Sequence, residues 1–233
     1  MSTGILYLVA TPIGHLGDMT HRAVETLKTV DWIACEDTRH SNVLLDHYGI
    51  QKPLVSYFDF SESKKAPEMA RRIASGERAA LISDAGTPGI ADPGYRLIQE
   101  SLKLNVHLEA LPGASAFLTA LVLSGLPTNR FAFEGFAPLK SGAKKKWLEG
   151  LKEEDRTVVF YESPHRLLKT LEAMKEVLGD VPVVVARELT KKFEEVSRTR
   201  LSGQIERFSS KKIRGEFVVL LNLSFAGGSD ERS

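Results

Sequence analysis

The segment at residues 83–94, SDAGTPGIADPG, constrains the fold more than any other part of the chain. It is rich in glycine and proline, follows the apolar run AALI at residues 79–82, and precedes the helical pattern YRLI at residues 95–98. A strand that passes through such a turn into a helix is typical of the edge of an open α/β sheet, where ligands bind. The segment therefore predicts a ligand-binding loop.

Comparable turns follow other strand-like segments along the chain. They lie at residues 11–14 (TPIG), 36–39 (EDTR), 112–115 (PGAS), 161–164 (YESP) and 187–188 (RE). Because parallel strands present their carboxyl ends at one edge of a sheet, a recurring turn of this kind predicts one shared site rather than several separate ones.

Strand and helix patterns alternate through both halves of the chain. In the first half, strands are predicted at residues 5–10, 32–35, 54–56, 79–83 and 106–111, and helices at 20–29, 42–48, 67–75 and 94–104. In the second half, helices are predicted at 115–124, 144–151 and 163–178, and strands at 131–136, 157–161, 183–186, 196–201 and 217–223. The alternation predicts the α/β class, with two α/β domains whose sheets are mainly parallel or mixed.

The predicted boundary between the two domains lies at the Pro112-Gly113 turn. This gives an N-terminal α/β domain at residues 1–112 and a C-terminal α/β domain at residues 113–225. The last residues, 226–233, are small and polar, and they are expected to form a disordered tail.

The charge of the chain is nearly balanced, with 31 lysines and arginines against 30 aspartates and glutamates. Proteins whose whole surface binds nucleic acid are usually more basic, so composition does not favour that class. Basic clusters are nevertheless present, and Lys144, Lys145 and Lys191 are candidate RNA contacts within them. Such clusters are commonly solvated helix faces or loops, so they permit RNA binding without establishing it.

Cysteine, histidine and hydropathy exclude several other classes. The single cysteine, Cys35, rules out an intrachain disulfide and a thiolate zinc site. The histidines show no metal-ligand spacing, so no metal is expected. No apolar run approaches the ~18–20 residues of a membrane span, and no basic segment followed by an apolar one opens the chain. We therefore expect a cytoplasmic protein that does not enter a membrane.

The first loop, residues 11–18 (TPIGHLGD), occupies the position of a dinucleotide-binding glycine loop but lacks its pattern. Gly14 and Gly17 give only G-x-x-G, and Pro12 removes an amide donor that a pyrophosphate would use. The chain also lacks the G-x-x-x-x-G-K-[ST] pattern of P-loop nucleotide hydrolases. A crevice lined by glycine and proline without a phosphate cradle suits an adenosine ligand that carries no phosphate, such as S-adenosylmethionine.

Several motifs, in order along nearly the whole chain, resemble the ribosomal RNA methyltransferase branch of the tetrapyrrole methylase superfamily. They are LYLVATPIGHLGD at residues 6–18, EDTRHS at 36–41, SDAGTPGIADPG at 83–94, PGASA at 112–116, FYESPHRL at 160–167 and ARELTK at 186–191. The resemblance implies a homodimeric two-domain α/β methyltransferase with S-adenosylmethionine in the interdomain cleft. It also implies methylation of the ribose 2′-oxygen of a decoding-centre cytidine in the 16S rRNA of the small ribosomal subunit.

The resemblance also implies the residues of the cofactor pocket. Backbone groups around Ala85, Gly86 and Ser115 would meet the methionine end, and the apolar residues would hold the adenine. The full set is Pro12, Asp84, Ala85, Gly86, Ile90, Ser115, Ala116, Tyr161, Arg187 and Leu189.

A ribose hydroxyl is a poor nucleophile until its proton is removed, so a nearby base is expected. The candidates just past strand ends are Glu36, Asp37 and Glu188, and Arg39 could hold a phosphate of the RNA by a bidentate pair. Structural alternatives remain open. The two acidic residues at 36 and 37 could instead cap a helix or pair with Arg39, and Glu188 and Arg187 could form an ion pair between the domains.

Other turn and strand residues also have structural alternatives. Asp84 could be a turn residue bonded to its own backbone, and Tyr161 could belong to the core.

Two alternative functions remain. One is a methyltransferase of the same fold that acts on another acceptor, either a tetrapyrrole or the diphthine precursor of an elongation factor. The other is a non-catalytic module that binds RNA or the ribosome. A dehydrogenase is disfavoured because the glycine fingerprint is missing.

Overall fold

The computed structural model describes residues 4–210 and 213–225, apart from the side chains of residues 59–61. The chain divides into two compact units, Met1–Ser115 and Ala116–Ser233. The first unit thus extends three residues past the position at which the sequence predicts a boundary. Gly113 packs so tightly on Ala10 that a Cβ added to it would lie 2.8 Å from the Ala10 Cβ, which ties this turn to the first unit. The expected tail at 226–233 lies outside the described residues.

The first unit alternates strands and helices. In chain order they are β1 (Ile5–Val9), α1 (His21–Thr29), β2 (Trp32–Cys35), α2 (Thr38–His47), β3 (Leu54–Ser56), α3 (Asp59–Ala74), β4 (Arg78–Ile82), α4 (Tyr95–Lys103) and β5 (His107–Leu111). All strand pairs are parallel, in the order β3-β2-β4-β1-β5. This arrangement confirms the α/β class for the first unit.

Alternating residues of these strands feed two hydrophobic cores, because successive side chains of a strand point to opposite faces. On one face, Val9 and Ile33 pack with Leu27 of α1 and with α2. On the other face, Leu6 packs with α3 and with Leu97 of α4. Covered on both sides, the sheet leaves the carboxyl ends of its strands and the loops that follow them as the place for a site.

The second unit holds a mixed sheet. Its elements are α5 (Ala116–Ser124), β6 (Phe131–Phe136), α6 (Ser141–Gly150), β7 (Thr157–Glu162), α7 (Leu167–Leu178), β8 (Pro182–Arg187), β9 (Glu195–Arg200), α8 (Leu201–Ser209) and β10 (Phe217–Leu221). The strand order is β6-β7-β10-β8-β9. Only β6 and β7 pair in parallel, and β10 runs antiparallel to both of its neighbours. Helices α6, α7 and α8 bury Leu148, Leu171 and Phe208 against one face of this sheet.

Several predicted elements differ from the structure. Helix α2 begins at Thr38 rather than residue 42, because the Asp37 side chain caps it. Helix α3 begins at Asp59 rather than residue 67, and Pro67 lies inside it. The predicted strand at residues 196–201 ends at Arg200, and helix α8, which the sequence analysis omits, begins at the next residue.

The remaining exclusions concern metals and membranes. Within residues 4–210 and 213–225, no group of three or more His, Cys, Asp and Glu side chains could hold a metal ion. Over the same residues, no helix is long and apolar enough to cross a membrane. Cys35 is buried as a free thiol.

Candidate cofactor and substrate site

In the first unit, the loop after β1 is bonded directly to the loop after β4. The amide of Thr11 donates to the Gly86 carbonyl at 2.8 Å, and the Gly86 amide donates back to the Thr11 carbonyl at 3.0 Å. The Thr11 hydroxyl donates to the Ser83 carbonyl, and the Ser83 hydroxyl donates to the Gly86 carbonyl, each at 3.0 Å. These bonds fix the start of the segment at residues 83–94 against the first loop.

Gly86 is the residue on which three loops of the first unit meet. Its φ of +86° lies in the left-handed region that favours glycine. A Cβ added there would lie 3.6 Å from Cγ2 of Ile13 and 3.7 Å from the carbonyl oxygen of Ala114. The loops after β1, β4 and β5, three of the six turns predicted to share one site, therefore lie within contact distance of one another at this glycine.

A hydrogen bond joins the loop after β2 to the same cluster. The Asp37 amide donates to Oδ1 of Asp84 at 3.3 Å. The Asp37 carboxylate accepts from the Arg39 amide at 2.8 Å and so caps helix α2. That hydrogen bond and the Arg39 side chain lower the pKa of Asp37 below its ordinary value. Asp37 thus has the structural role that the sequence left open, and its carboxylate is a weakened base.

The remaining predicted residues of the first unit surround this cluster. Pro12 is buried, Ala85 and Ser115 are half-buried, and Ile90 is exposed. Glu36 is half-buried directly after β2. The Arg39 side chain is 92% exposed and lies 3.5 Å from the Asp37 carboxylate. Its guanidinium is therefore held only loosely by the protein and can reach an anion.

The donor set of the loop cluster suits a ligand without phosphate. Residues 11–18, 83–94 and 112–115 contain no lysine or arginine, and Pro12 supplies no amide. The polar groups are backbone amides and carbonyls together with hydroxyl, imidazole and carboxylate side chains, among them Asp18, Asp84 and Asp92. Peptide groups and carboxylates can bind the amino and hydroxyl groups of an aminoacyl nucleoside, whereas a pyrophosphate calls for cations and free amides. The residues present fit S-adenosylmethionine.

In the second unit, Tyr161 on β7 lies in an aromatic cluster. Its ring centroid is 4.9 Å from that of Phe133 and 5.5 Å from that of Phe136, both in edge-to-face geometry. Phe133 also stacks on Phe117 of α5 at 4.5 Å, next to the predicted pocket residue Ala116. The cluster offers an apolar surface that could hold a planar base.

Hydrogen bonds and an ion pair hold Arg187, Glu188 and Lys191 in place within the second unit. Nε of Arg187 donates to the Arg214 carbonyl at 2.7 Å. Oε1 of Glu188 accepts from the Glu216 amide at 3.0 Å and from Nζ of Lys191 at 3.1 Å. Burial favours a higher pKa for Glu188, but the Glu216 amide and the Lys191 ammonium outweigh it and lower the pKa. Glu188 is therefore also a weakened base.

Two further features mark this segment of the second unit. Leu189 is buried. Glu188 has a φ of +50°, a rare conformation for a residue with a side chain. The described partners of Arg187 and Glu188 lie within the second unit, including Glu195, whose carboxylate is 3.9 Å from the Arg187 guanidinium.

The structure corrects the interpretation of Lys144 as an RNA contact. Its side chain is buried, and Nζ donates to Oγ1 of Thr170 at 2.7 Å. Burial lowers the pKa of the Lys144 ammonium, while the carboxylate of Glu162 opposes that shift. Lys145, the next residue, is exposed, and Lys191 is half-buried in its ion pairs.

A buried polar network around Glu162, which the sequence does not predict, lies at the end of β7. The Glu162 carboxylate accepts from Thr170 Oγ1 at 2.6 Å, from the Ser163 amide at 2.7 Å and from Arg166 at 2.6 Å. Glu162 directly follows Tyr161, so the network fixes the end of β7 beside that predicted pocket residue. An acidic residue at the end of an apolar strand pattern was the available signal.

Glu62 was missed as well. Its carboxylate accepts from the Gly94 amide at 2.7 Å and holds the end of the loop at residues 83–94. No local pattern signals this role, because the two residues are 32 positions apart.

Comparison with known proteins agrees with this architecture. The sequence profile of the tetrapyrrole (corrin/porphyrin) methylases matches residues 5–203. Among solved structures, a diphthine synthase aligns with a TM-score of 0.75 at 16% identity, covering 94% of this chain and 90% of that one. The uroporphyrin-III-C-methyltransferase of Thermus thermophilus aligns with a TM-score of 0.65 at 18% identity, over 93% and 94% of the two chains. At these identities the likeness concerns the fold alone.

The chain belongs to the tetrapyrrole methylase family. Relatives within that family are far more similar to it than the solved structures. It is 49% identical to "Ribosomal RNA small subunit methyltransferase I" of Haemophilus influenzae, over 94% of this chain and 78% of that protein. The protein of the same name from Thermotoga maritima is 43% identical, over 94% of this chain and 98% of its own length. Within the family, the chain groups with these ribosomal RNA methyltransferases.

Proposed function

We propose that this protein transfers a methyl group from S-adenosylmethionine to the ribosomal RNA of the small subunit, at the ribose 2′-oxygen of a cytidine in 16S rRNA. The observation that carries the proposal is the loop cluster around Gly86, in a chain that is 49% identical to a ribosomal RNA small subunit methyltransferase I. The cluster offers a site for an aminoacyl nucleoside, and the names of the relatives state the acceptor, the ribosomal RNA of the small subunit.

The loop cluster would bind the cofactor through its peptide groups. Ala85, Gly86 and Ser115 would meet the methionine end, with Asp84 and Pro12 beside them. When bound, S-adenosylmethionine supplies an electrophilic methyl group on a sulfonium. No phosphate clamp is needed for such a transfer, so most of the rate must come from holding the hydroxyl and the methyl group in line, a contribution that can reach about 7–11 kcal/mol.

Among the three carboxylates that could accept the ribose proton, we assign the base to Glu36. Asp37 caps helix α2 and Glu188 accepts from Glu216 and Lys191, and both have a pKa lowered below the ordinary value. Efficient general bases have a pKa near the working pH, so these hydrogen bonds weaken both residues for the task. The placement of Glu36 carries the assignment, because it directly follows β2 and its neighbour Asp37 is bonded to Asp84 of the loop assigned to the cofactor.

Arg39 would hold a phosphate of the RNA next to the target nucleotide. Its guanidinium is largely exposed at the start of helix α2, and the planar fork of arginine matches a phosphate bidentately. In the second unit, Ala116, Tyr161, Arg187 and Leu189 stay candidate cofactor residues. The exposed Lys145 and the ion-paired Lys191 stay candidate RNA contacts. The expected homodimer also stays a prediction, which light scattering tests.

Transfer of radiolabelled methyl groups tests the proposal. Small ribosomal subunits from cells that lack the modification are incubated with the protein and labelled S-adenosylmethionine, with large subunits as the matched acceptor control. We expect label in the small subunit only. Cofactor binding without label in either subunit would favour a tetrapyrrole or diphthine-type acceptor. Ribosome binding without cofactor binding would favour the non-catalytic module.

A further inference from the structure

The first turns of helices α3 and α4 form an exposed surface of aromatic and basic side chains, which we call the α3–α4 patch. It is defined by Phe58, Lys64, Lys65, Tyr95 and Arg96. Tyr95, the first residue of α4, is 67% exposed, and Phe58, which directly precedes α3, is also exposed. Exposed aromatic rings flanked by cations are the combination on which single-stranded nucleic acid binds.

Three contacts hold the two helix starts together. The hydroxyl of Tyr57 accepts from the Leu97 amide at 3.1 Å, which joins the end of the β3 loop to the first turn of α4. Glu62 accepts from the Gly94 amide at 2.7 Å and lies 3.9 Å from Nε of Arg96. Phe58 and Tyr95 are each next in sequence to one of these anchors. The aromatic rings are therefore presented on a fixed framework.

The charge of the α3–α4 patch suits an anion. The Arg96 side chain is 61% exposed, and Lys64 is exposed one turn into α3. Nζ of Lys65 donates to the Ser56 carbonyl at 2.5 Å and lies 5.8 Å from the centre of the Phe58 ring. The carboxylate between the helix starts, Glu62, is largely buried and is already used by Gly94. The surface therefore combines the exposed Tyr95 ring with accessible cations.

We propose that the α3–α4 patch binds an unpaired segment of the ribosomal RNA next to the target nucleotide, a role that rests on the function proposed above. Unpaired bases stack on aromatic rings, and their phosphates pair with lysine and arginine. A duplex offers no open base faces to Tyr95 and Phe58. The patch also continues from the candidate cofactor loop, because residues 83–94 run directly into α4. RNA held there lies beside the loop cluster.

Helix α4 supplies a matched control for the test. Leu102 and Lys103, in its last turn, are 51% and 65% exposed, roughly 10 Å along the axis from Tyr95 and Arg96. Each end of α4 therefore offers one apolar and one basic side chain, and replacing both with alanine removes the same kinds of group at either end. The two double variants are Tyr95→Ala with Arg96→Ala, and Leu102→Ala with Lys103→Ala.

The readout is binding of a fluorescent single-stranded RNA, measured by anisotropy over a range of salt concentrations. We expect the first double variant to bind about tenfold or more weakly, because each stacked base and each phosphate contact contributes to affinity. Its dependence of log affinity on log salt should also be shallower by about 0.7 for the lost phosphate contact. The control variant should bind like the parent protein, and both should bind S-adenosylmethionine normally by calorimetry. Tyr95→Phe should keep the affinity, because it keeps the ring.

Equal RNA affinity in the two double variants would overturn the proposal. So would a loss seen only with assembled subunits and not with free RNA, since that outcome indicates a ribosomal protein on this surface. These outcomes are separate from the function itself, which methyl transfer by the parent protein tests independently of RNA binding by the variants.

Discussion

The Asp37 amide donates a hydrogen bond to Oδ1 of Asp84 at 3.3 Å. The two residues follow neighbouring strands, β2 and β4, and are 47 positions apart. One of them caps helix α2, beside the exposed Arg39, and the other begins the loop that we assign to the cofactor. The bond therefore joins the proposed RNA side of the first unit to its proposed cofactor side.

Replacing Asp84 should weaken cofactor binding. We expect Asp84→Ala to raise the Kd for S-adenosylmethionine by roughly tenfold to a hundredfold, since it removes a polar ligand group and leaves the Asp37 amide without this acceptor. Asp84→Asn keeps an acceptor oxygen, so its Kd should lie between those of the parent protein and Asp84→Ala. Isothermal calorimetry measures this, with Asp46→Ala as a control because that carboxylate is exposed at the far end of α2. Similar Kd values for the Asp84→Ala and Asp46→Ala variants would refute the assignment.

Replacing Arg39 should separate RNA recognition from cofactor binding. Arg39→Ala should lower kcat/KM for small subunits by about tenfold or more, because an arginine–phosphate hydrogen bond is charge-assisted. The Kd for S-adenosylmethionine should not change. Arg22→Ala, which removes another exposed guanidinium from the first unit, serves as the control. If cofactor affinity fell together with activity, the division of roles between Arg39 and Asp84 would be wrong.

The identity of the base can be read from the pH dependence of the rate. Glu36→Gln should lower kcat by about 10²- to 10⁴-fold, the usual contribution of a general base. Asp37→Asn and Glu188→Gln should keep most of the rate. A base is active above its pKa. If Asp37 or Glu188 were the base, its lowered pKa would leave the rate independent of pH down to a pH below the ordinary carboxyl range. If the fall in rate at low pH were absent from either of these two variants, the substituted residue and not Glu36 would be the base.

Gly86→Ala should damage both stability and binding. The φ of +86° makes a Cβ unfavourable by about 1 kcal/mol, and the added methyl would stand between Ile13 and Ala114. Gly49→Ala is the matched control, because its φ is +64° and a Cβ there meets nothing within 4 Å. Urea unfolding should show a similar loss for both variants, whereas calorimetry should show weaker S-adenosylmethionine binding for Gly86→Ala only. Normal cofactor binding by Gly86→Ala would place the ligand elsewhere.

The neighbouring lysines at 144 and 145 should respond differently to the same change. Lys144→Met removes the buried donor to Thr170 and should lower the free energy of unfolding by about 1–3 kcal/mol. Lys145→Met changes an exposed side chain and should stay within about 0.5 kcal/mol. RNA affinity should fall only for the second variant. Equal stability losses in the two proteins would contradict the buried network.

Local sequence signals predicted much of the fold and the type of site. The helix predicted from residue 20 is capped by Thr20, whose hydroxyl accepts from the Ala23 amide at 3.2 Å, because capping depends on residues close in sequence. The glycine and proline loops identified the segment around Gly86 for the same reason. Helix α8 also had a local signal, since Leu201, Gln204 and Phe208 are buried at helical spacing.

Side-chain partners that are distant in sequence could not be predicted. Lys144 looks like a member of a basic surface cluster, and its partner Thr170 is 26 positions away. The link from Asp37 to Asp84 and the link from Glu62 to Gly94 likewise depend on how strands and helices pack. The sequence therefore indicated loops that lie together in the first unit, but not which of their side chains are committed to structural hydrogen bonds.

Analysis of the methylated nucleoside shows whether the protein acts on the ribose 2′-oxygen of a cytidine. Small-subunit RNA methylated by the protein is digested to nucleosides and examined by mass spectrometry, with the position of the nucleotide mapped from nuclease fragments. We expect a single product, a cytidine methylated on its ribose 2′-oxygen, whose yield at limiting S-adenosylmethionine falls with the Asp84→Ala variant. A methyl group on a base, on a different nucleoside, or on a non-RNA acceptor would contradict it.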